Sequence, residues 1–196
     1  MTKKSALLVV DIQIDFCPGG ALSVSRGDEV VPVLNRYIER FRKEGLPVFA
    51  TRDWHPEKTS HFEAFGGIWP VHCVQGSKGA QFHPALMLPD DVIIISKGMD
   101  PTRDDYSALH GADANGTPLP EVLRKLGIHR IFIGGLTTDY CVKESSLEGL
   151  RQGFAVTVLT DAVRGVDLKP GDSERALAEI NAAGAETTTF ETLRFD

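Results

Sequence analysis

The sequence predicts a three-layer α/β/α fold built on a six-stranded, mostly parallel sheet, and three observations carry that prediction. Six short runs, at residues 6–10, 47–51, 92–96, 131–135, 155–160 and 187–190, are nearly continuous in apolar and β-branched character, as strands covered on both faces are. Stretches of helical periodicity lie between them. The chain of 196 residues is 42% hydrophobic, enough for a full core, and contains no repeat, low-complexity tract or linker, so residues 1–196 read as one domain.

The first strand is followed by a loop rich in Gly and Ser. Val30, Val31, Leu34, Tyr37, Ile38 and Phe41 then recur at helical spacing, with Asp28 placed as an N-cap and Gly45 just past the end. A second helix covers 121–126, a third runs from about 139 to 152, and a fourth carries Ala176, Leu177, Ile180 and Ala183 behind Asp172 and Ser173 as caps. Residues 54–89 and 98–118 break the alternation. They are rich in Gly, Pro, His and aromatic residues, and irregular stretches of that length in a compact domain are usually functional.

A formal charge of −6 with no run of Lys or Arg excludes a nucleic-acid partner, since phosphate binding needs clustered cations. No segment approaches the roughly 18 apolar residues of a membrane span, and the opening residues run straight into a strand pattern. A soluble, cytoplasmic protein without a cleaved signal is therefore expected. Cysteines at 17, 73 and 141 are odd in number and far apart, which suits a reducing compartment and leaves at least one free thiol. The expected partner is a small molecule, with homo-oligomers allowed.

The chemistry is placed by strand ends. Asp11, Asp53 and Lys97 close or follow the first three strands, and the turn 137–141 follows the fourth; in an open parallel sheet these ends share one rim, where ligands bind. Cys141 follows a small-residue turn at the start of a helix, where the macrodipole and free amides favour a thiolate and can hold an oxyanion. Taken alone, that position suits a nucleophile and a buried structural thiol equally. Asp11 within reach would take the thiol proton, and Lys97 would hold the carboxylate charged. Asp53 and His55, two apart on an extended segment, face the same side, and His61 or His72 would complete three N/O ligands suited to Zn²⁺, Fe²⁺ or Mn²⁺, though loop histidines bonded to backbone remain the plainer alternative. Phe16, Phe62, Phe65 and Trp69 crowd the same region, either as loop anchors or as walls of a flat apolar slot.

The strings LLVVDIQIDFCPGGALSV, ATRDWHP, GIWPVHCVQGSKGAQFHP, SKGMDPTRDDYSAL and IFIGGLTTDYCVKESSLEGLRQGF resemble, in order and spacing, the isochorismatase-like cysteine hydrolases and, among them, the nicotinamidase/pyrazinamidase group. The resemblance implies a catalytic triad of Asp11, Lys97 and Cys141, and metal ligands Asp53, His55 and His72. His61 matches a fourth ligand found in only some members. The resemblance also implies oxyanion amides from Thr137 and Cys141, a non-proline cis peptide at Leu136–Thr137, and aromatic walls Phe16 and Trp69, with Leu136 and Tyr106 completing the substrate contacts. Many members carry alanine where this chain has Thr137. The implied reaction converts nicotinamide, and pyrazinamide beside it, to the acid and ammonia through a Cys thioester, serving NAD salvage, with one divalent metal ion, Zn²⁺ first and Fe²⁺ or Mn²⁺ after it. The alternatives are a hydrolase of N-carbamoyl or ureido compounds on the same fold, whose metal-free branches lack the Asp/His set, and a non-enzymatic metabolite-binding module.

Overall fold

The computed structural model describes residues 4–195, so residues 1–3 and 196 of the expected domain lie outside the described residues. The strands are β1 (Lys4–Val10), β2 (Val48–Asp53), β3 (Ile93–Lys97), β4 (Ile128–Leu136), β5 (Ala155–Arg164) and β6 (Glu186–Thr188). The α-helices are α1 (Val30–Lys43), α2 (Leu119–Lys125), α3 (Lys143–Arg151) and α4 (Asp172–Ala182). The strands form one sheet in the order β3-β2-β1-β4-β5-β6, and every pairing between them is parallel.

Alternation along β1 sets the layers. Leu7 and Val9 face a core with Val30, Val31, Leu34, Tyr37, Ile38 and Phe41 of α1, while Ala6, Leu8 and Val10 face Leu119 and Leu123 of α2 and Ile180 of α4. Burying each such side chain contributes roughly 1.5–3 kcal/mol, which fixes the register because a one-residue slip would exchange the two faces. The strand order reverses direction between β1 and β4, the crevice where open α/β sheets bind ligands. There the two strands approach closely at Gly135: a Cβ at this residue would stand 2.1 Å from the Val10 carbonyl oxygen, and its φ is +130°.

The helix ends differ in detail from the sequence expectation. Gly45 does lie just past α1 with φ +68°, its N–H donating to Arg42 O at 3.0 Å. Asp28 is not the N-cap of α1: it sits inside a 3₁₀ turn (Gly27–Glu29) that runs directly into the helix, and Glu29 precedes α1 without a side-chain cap. Asp172 and Ser173 fall within the first turn of α4 behind Gly171. Asp172 Oδ2 accepts instead from Lys169 N (2.8 Å), and Ser173 N donates to Asp167 Oδ1 (2.8 Å), so the capping carboxylate comes from the preceding loop. The sixth strand stops at Thr188, and Phe190 leaves the sheet to pack edge-on against Tyr37 (ring centroids 5.2 Å). No helix among the described residues is long and apolar enough to cross a membrane.

Candidate active site

The ends of β1, β2, β3 and the turn after β4 meet at the switch point. Asp11 leaves β1 in a left-handed conformation (φ +50°), one that Asp tolerates better than most residues. Thr51 of β2 holds it twice: Asp11 N donates to Thr51 O (3.2 Å), and Thr51 Oγ1 donates to Asp11 Oδ1 (2.6 Å). Asp11 Oδ2 lies 2.9 Å from Lys97 Nζ but accepts no directed hydrogen bond. Lys97 Nζ also donates to Asp53 Oδ1 and stands 3.4 Å from Cys141 Sγ. Asp11, Lys97, Asp53 and Cys141 are all buried, and single donor atoms of Asp11, Asp53 and Cys141 lie within 4.8 Å of one another.

Cys141 belongs to a π-helical turn (Thr138–Val142) that opens α3, closed by Val142 N donating to Thr137 O at 2.9 Å. Such turns concentrate at functional sites. The peptide Leu136–Thr137 just before it is cis. The pull of the helix start toward a thiolate is opposed by the surrounding charge. Burial pushes the Cys141 thiol well above its usual range, Lys97 pulling it only part of the way back. One cation already faces two carboxylates here, and a thiolate would add a second excess anion. A helix terminus offers about 0.3–2 kcal/mol against that, whereas a buried charge costs several. Burial likewise raises the Asp11 carboxyl, with Lys97 opposing. Burial alone would discharge Lys97, but Asp11 and Asp53 outweigh it and keep the ammonium protonated well above its usual range. For Asp53, Lys97 and the neighbouring imidazoles overcome burial and hold the carboxyl below its usual range.

Beside this cluster lie three histidines. Their Nδ1 atoms are tied off by His55 to Gly98 O (3.0 Å), His72 to Pro70 O (2.7 Å) and His61 to Asp104 Oδ1 (2.5 Å). A carbonyl only accepts, so these Nδ1 atoms of His55 and His72 carry the proton, leaving Nε2 as the donor lone pair. His55 Nε2 is buried without a hydrogen-bond partner. Burial depresses the His61 imidazolium and pushes His72 down to about 4, so both rings are neutral near pH 7, the form that binds metal. One donor atom from each of His55, His61 and His72 falls within 4.8 Å of the others. A compact set of neutral imidazole donors, one of them orphaned, fits a divalent cation. His61 thus lies in one donor cluster with His55 and His72, while Asp53, expected from the sequence beside them, is engaged through Oδ1 by Lys97 and brings Oδ2 to 3.7 Å from His55 Nε2. Gly98 lets His55 come close, since a Cβ there (φ +67°) would meet its Cε1 at 2.5 Å.

A narrow cavity opens onto both clusters. Cys141, Thr137, Asp53, His61 and His72 line it on one side, and Phe16, Trp69, Tyr106, Tyr140, Leu22 and Val166 close the rest. Phe16, Trp69 and Tyr106, the aromatic residues expected at a substrate, all line this cavity. Leu136 is not a lining residue: its side chain packs in the core shared with α1, while Thr137 after the cis peptide lines the cavity. Phe62 is fully buried against His55 and His72 as a loop anchor, whereas Phe65 is exposed.

Sequence reasoning missed several contributors. Gln13 is fully buried and clamps the Asp53 backbone, its Nε2 donating to Asp53 O (2.8 Å) and its Oε1 accepting from Asp53 N (2.8 Å). Asp15 Oδ2 accepts from Cys73 N (2.7 Å), and Cys73 O accepts from His55 N (3.0 Å), which gives Cys73 a backbone role beside the histidines. Tyr140, next to the cysteine in sequence, packs edge-on against Trp69 (4.9 Å). Asp139 accepts from Val166 N (3.0 Å) and Asp167 N (2.8 Å), fixing the loop that brings Val166 to the cavity.

A buried Asp, Lys and Cys thus stand at the switch point of a parallel six-stranded sheet, and the chain belongs to the isochorismatase family, whose domain it matches over residues 5–192. Among relatives, it is 42% identical to the nicotinamidase of Escherichia coli (strain K12) over 201 residues, covering 94% of each chain. Among solved structures, it is similar to the pyrazinamidase of Pyrococcus horikoshii in complex with zinc (TM-score 0.87, 45% identity, 95% of this chain and 99% of that one). It is also similar to PnC1 from L. infantum in complex with nicotinate (TM-score 0.87, 33% identity, 100% of this chain and 99% of that one).

Proposed function

We propose that this chain is a single-domain amidohydrolase that converts nicotinamide, and pyrazinamide beside it, to the acid and ammonia through a thioester on Cys141, and so serves NAD salvage. The observation that carries the proposal is the placement of one buried ammonium: Lys97 Nζ lies 2.9 Å from Asp11 Oδ2 and 3.4 Å from Cys141 Sγ. The nucleophile lines a cavity with aromatic walls, and the cation that keeps it in register with the base lies beside it.

Asp11 Oδ2, free of directed bonds, takes the thiol proton as Sγ attacks the carboxamide carbon. The carbonyl π pair moves onto oxygen, where the Thr137 and Cys141 amides hold it. Collapse breaks the C–N bond, and Asp11 gives its proton to the leaving nitrogen, releasing ammonia. Water then attacks the thioester carbon and yields a proton to Asp11. The C–S bond breaks, the sulfur regains that proton, and the acid departs. Lys97 stays charged throughout and prevents Asp11 and Asp53 from facing each other unscreened. Phe16 and Trp69 orient the ring. His55, His61 and His72, with Asp53 beside them, would hold a divalent ion, Zn²⁺ best matching an imidazole-rich set. Bound there, such an ion would supply a Lewis acid for a ring nitrogen of the substrate.

Purified, metal-analysed protein should release ammonia from nicotinamide and pyrazinamide, lose that activity on chelation and regain it with Zn²⁺. Turnover of an N-carbamoyl substrate with none of nicotinamide would reject the proposal. Asp104 offers a separate check on the ligand set. Its carboxylate holds His61 Nδ1, and outer-shell partners of this kind are worth 10- to 100-fold in metal affinity. Because Asp104 is half exposed, the lower figure applies: Asp104→Asn should weaken Zn²⁺ binding about 10-fold in competition with a chromophoric chelator. Unchanged affinity would remove His61 from the set.

A further inference from the structure

Three buried side-chain atoms among the described residues have no hydrogen-bond partner: Asp11 Oδ2, His55 Nε2 and Thr137 Oγ1. All three belong to the candidate site. The proposed function uses the first as a proton acceptor and the second as a metal donor, and leaves the third without a task. Thr137 is 4% exposed and lines the same cavity as Cys141, and its hydroxyl belongs to the residue whose amide faces the substrate oxygen in the mechanism above. A buried hydroxyl without a partner is costly, and a valine of the same shape would avoid that cost. Side chain and amide of one residue can address the same atom.

We infer that the Thr137 hydroxyl donates a hydrogen bond to the carboxamide oxygen and strengthens it as that oxygen becomes anionic, a contact that selects substrates with a carbonyl at this position. The inference rests on the amidohydrolase reading. No proton is transferred: the Sγ–C bond forms, the π pair moves to oxygen, the thiol proton goes to Asp11, and the Thr137 O–H shares its hydrogen with the new charge. Because the bond is strongest in the transition state, its loss should appear in kcat more than in KM.

The test compares wild type with Thr137→Val and Thr137→Ser. Single oxyanion donors are worth about 100- to 1,000-fold, and with two amides remaining Thr137→Val should lose about 10- to 100-fold in kcat/KM for nicotinamide, while Thr137→Ser stays within a few-fold of wild type. The valine variant should melt no lower than wild type, since no protein partner is lost. Affinity for pyridine-3-carbaldehyde, whose carbonyl adds the Cys141 S–H to give a tetrahedral adduct, should fall in parallel with kcat/KM, and affinity for unsubstituted pyridine should not change. Wild-type kinetics in Thr137→Val would overturn the inference while leaving the amidohydrolase reading intact. So would reduced turnover with unchanged aldehyde affinity, which would make the hydroxyl a partner of the amide nitrogen. A wild type that releases no ammonia from nicotinamide would overturn the underlying reading, and the inference with it.

Discussion

Cys141→Ala is expected to slow ammonia release from nicotinamide by about 10⁴-fold or more while leaving bound metal unchanged. The magnitude is that of removing a covalent nucleophile whose base and oxyanion donors remain but have nothing to act on. Retention of metal follows from the geometry. Sγ lies beside Lys97, Asp11 and Asp53, whereas the histidine donors form their own set, each imidazole fixed through Nδ1 by a separate acceptor. Paired single-turnover assays and metal analysis would check both halves. Ammonia release near the wild-type rate would end the thioester step, and loss of the ion would mean that the two clusters are one. Cys17 serves as an internal control: burial pushes its thiol up to about 11, it lines no part of the cavity, and Cys17→Ser should keep the activity.

The strand ends were legible because two periodicities coincide in this chain. Val, Ile and Leu runs mark fully covered parallel strands, and a reactive side chain closing such a run has only the carboxyl rim to occupy, so Asp11, Asp53, Lys97 and Cys141 could be brought together before any coordinates. Gln13 and Asp104 were not legible for the opposite reason. Each acts through a contact to a residue 40 or more positions away, Gln13 on Asp53 and Asp104 on His61, and nothing in local spacing announces a long-range hydrogen bond between loops. The misread caps of α4 have a physical cause: Asp172 and Ser173 have the right chemistry near the right place, but a neighbouring loop competes for it through Lys169 and Asp167. Leu136, expected at the substrate, packs instead in the core shared with α1, and its neighbour across the cis peptide, Thr137, lines the cavity. Local pattern fixes which elements exist and which ends are reactive; the side chains that aim those ends are chosen by tertiary contact.

Lys97→Met is expected to be the most destabilising single change in the site, by about 3–5 kcal/mol at pH 7, because it leaves Asp11 and Asp53 buried beside each other with no cation. Folding free energies of 5–15 kcal/mol leave room for the variant to fold. The pH dependence distinguishes this cause from lost packing. In the wild type the folded pKa of Lys97 is raised, so its contribution is fully present below the unfolded value near 10.4 and is lost only as pH rises through the folded value above it; from pH 5 to 8 it is flat. In the variant the two carboxyls have their folded pKa raised by burial and mutual repulsion, so stability falls as pH rises through those values and recovers as pH falls. Urea unfolding should therefore show a gap between wild type and Lys97→Met that is wide at pH 8 and narrower at pH 5. Adding Asp53→Asn should restore part of the stability and none of the activity, since it removes an unpaired charge without returning the ammonium to Asp11 and Cys141. A gap of equal width at both pH values would assign the loss to the lysine's packed stem, and its electrostatic role in holding the base and the nucleophile together would fall.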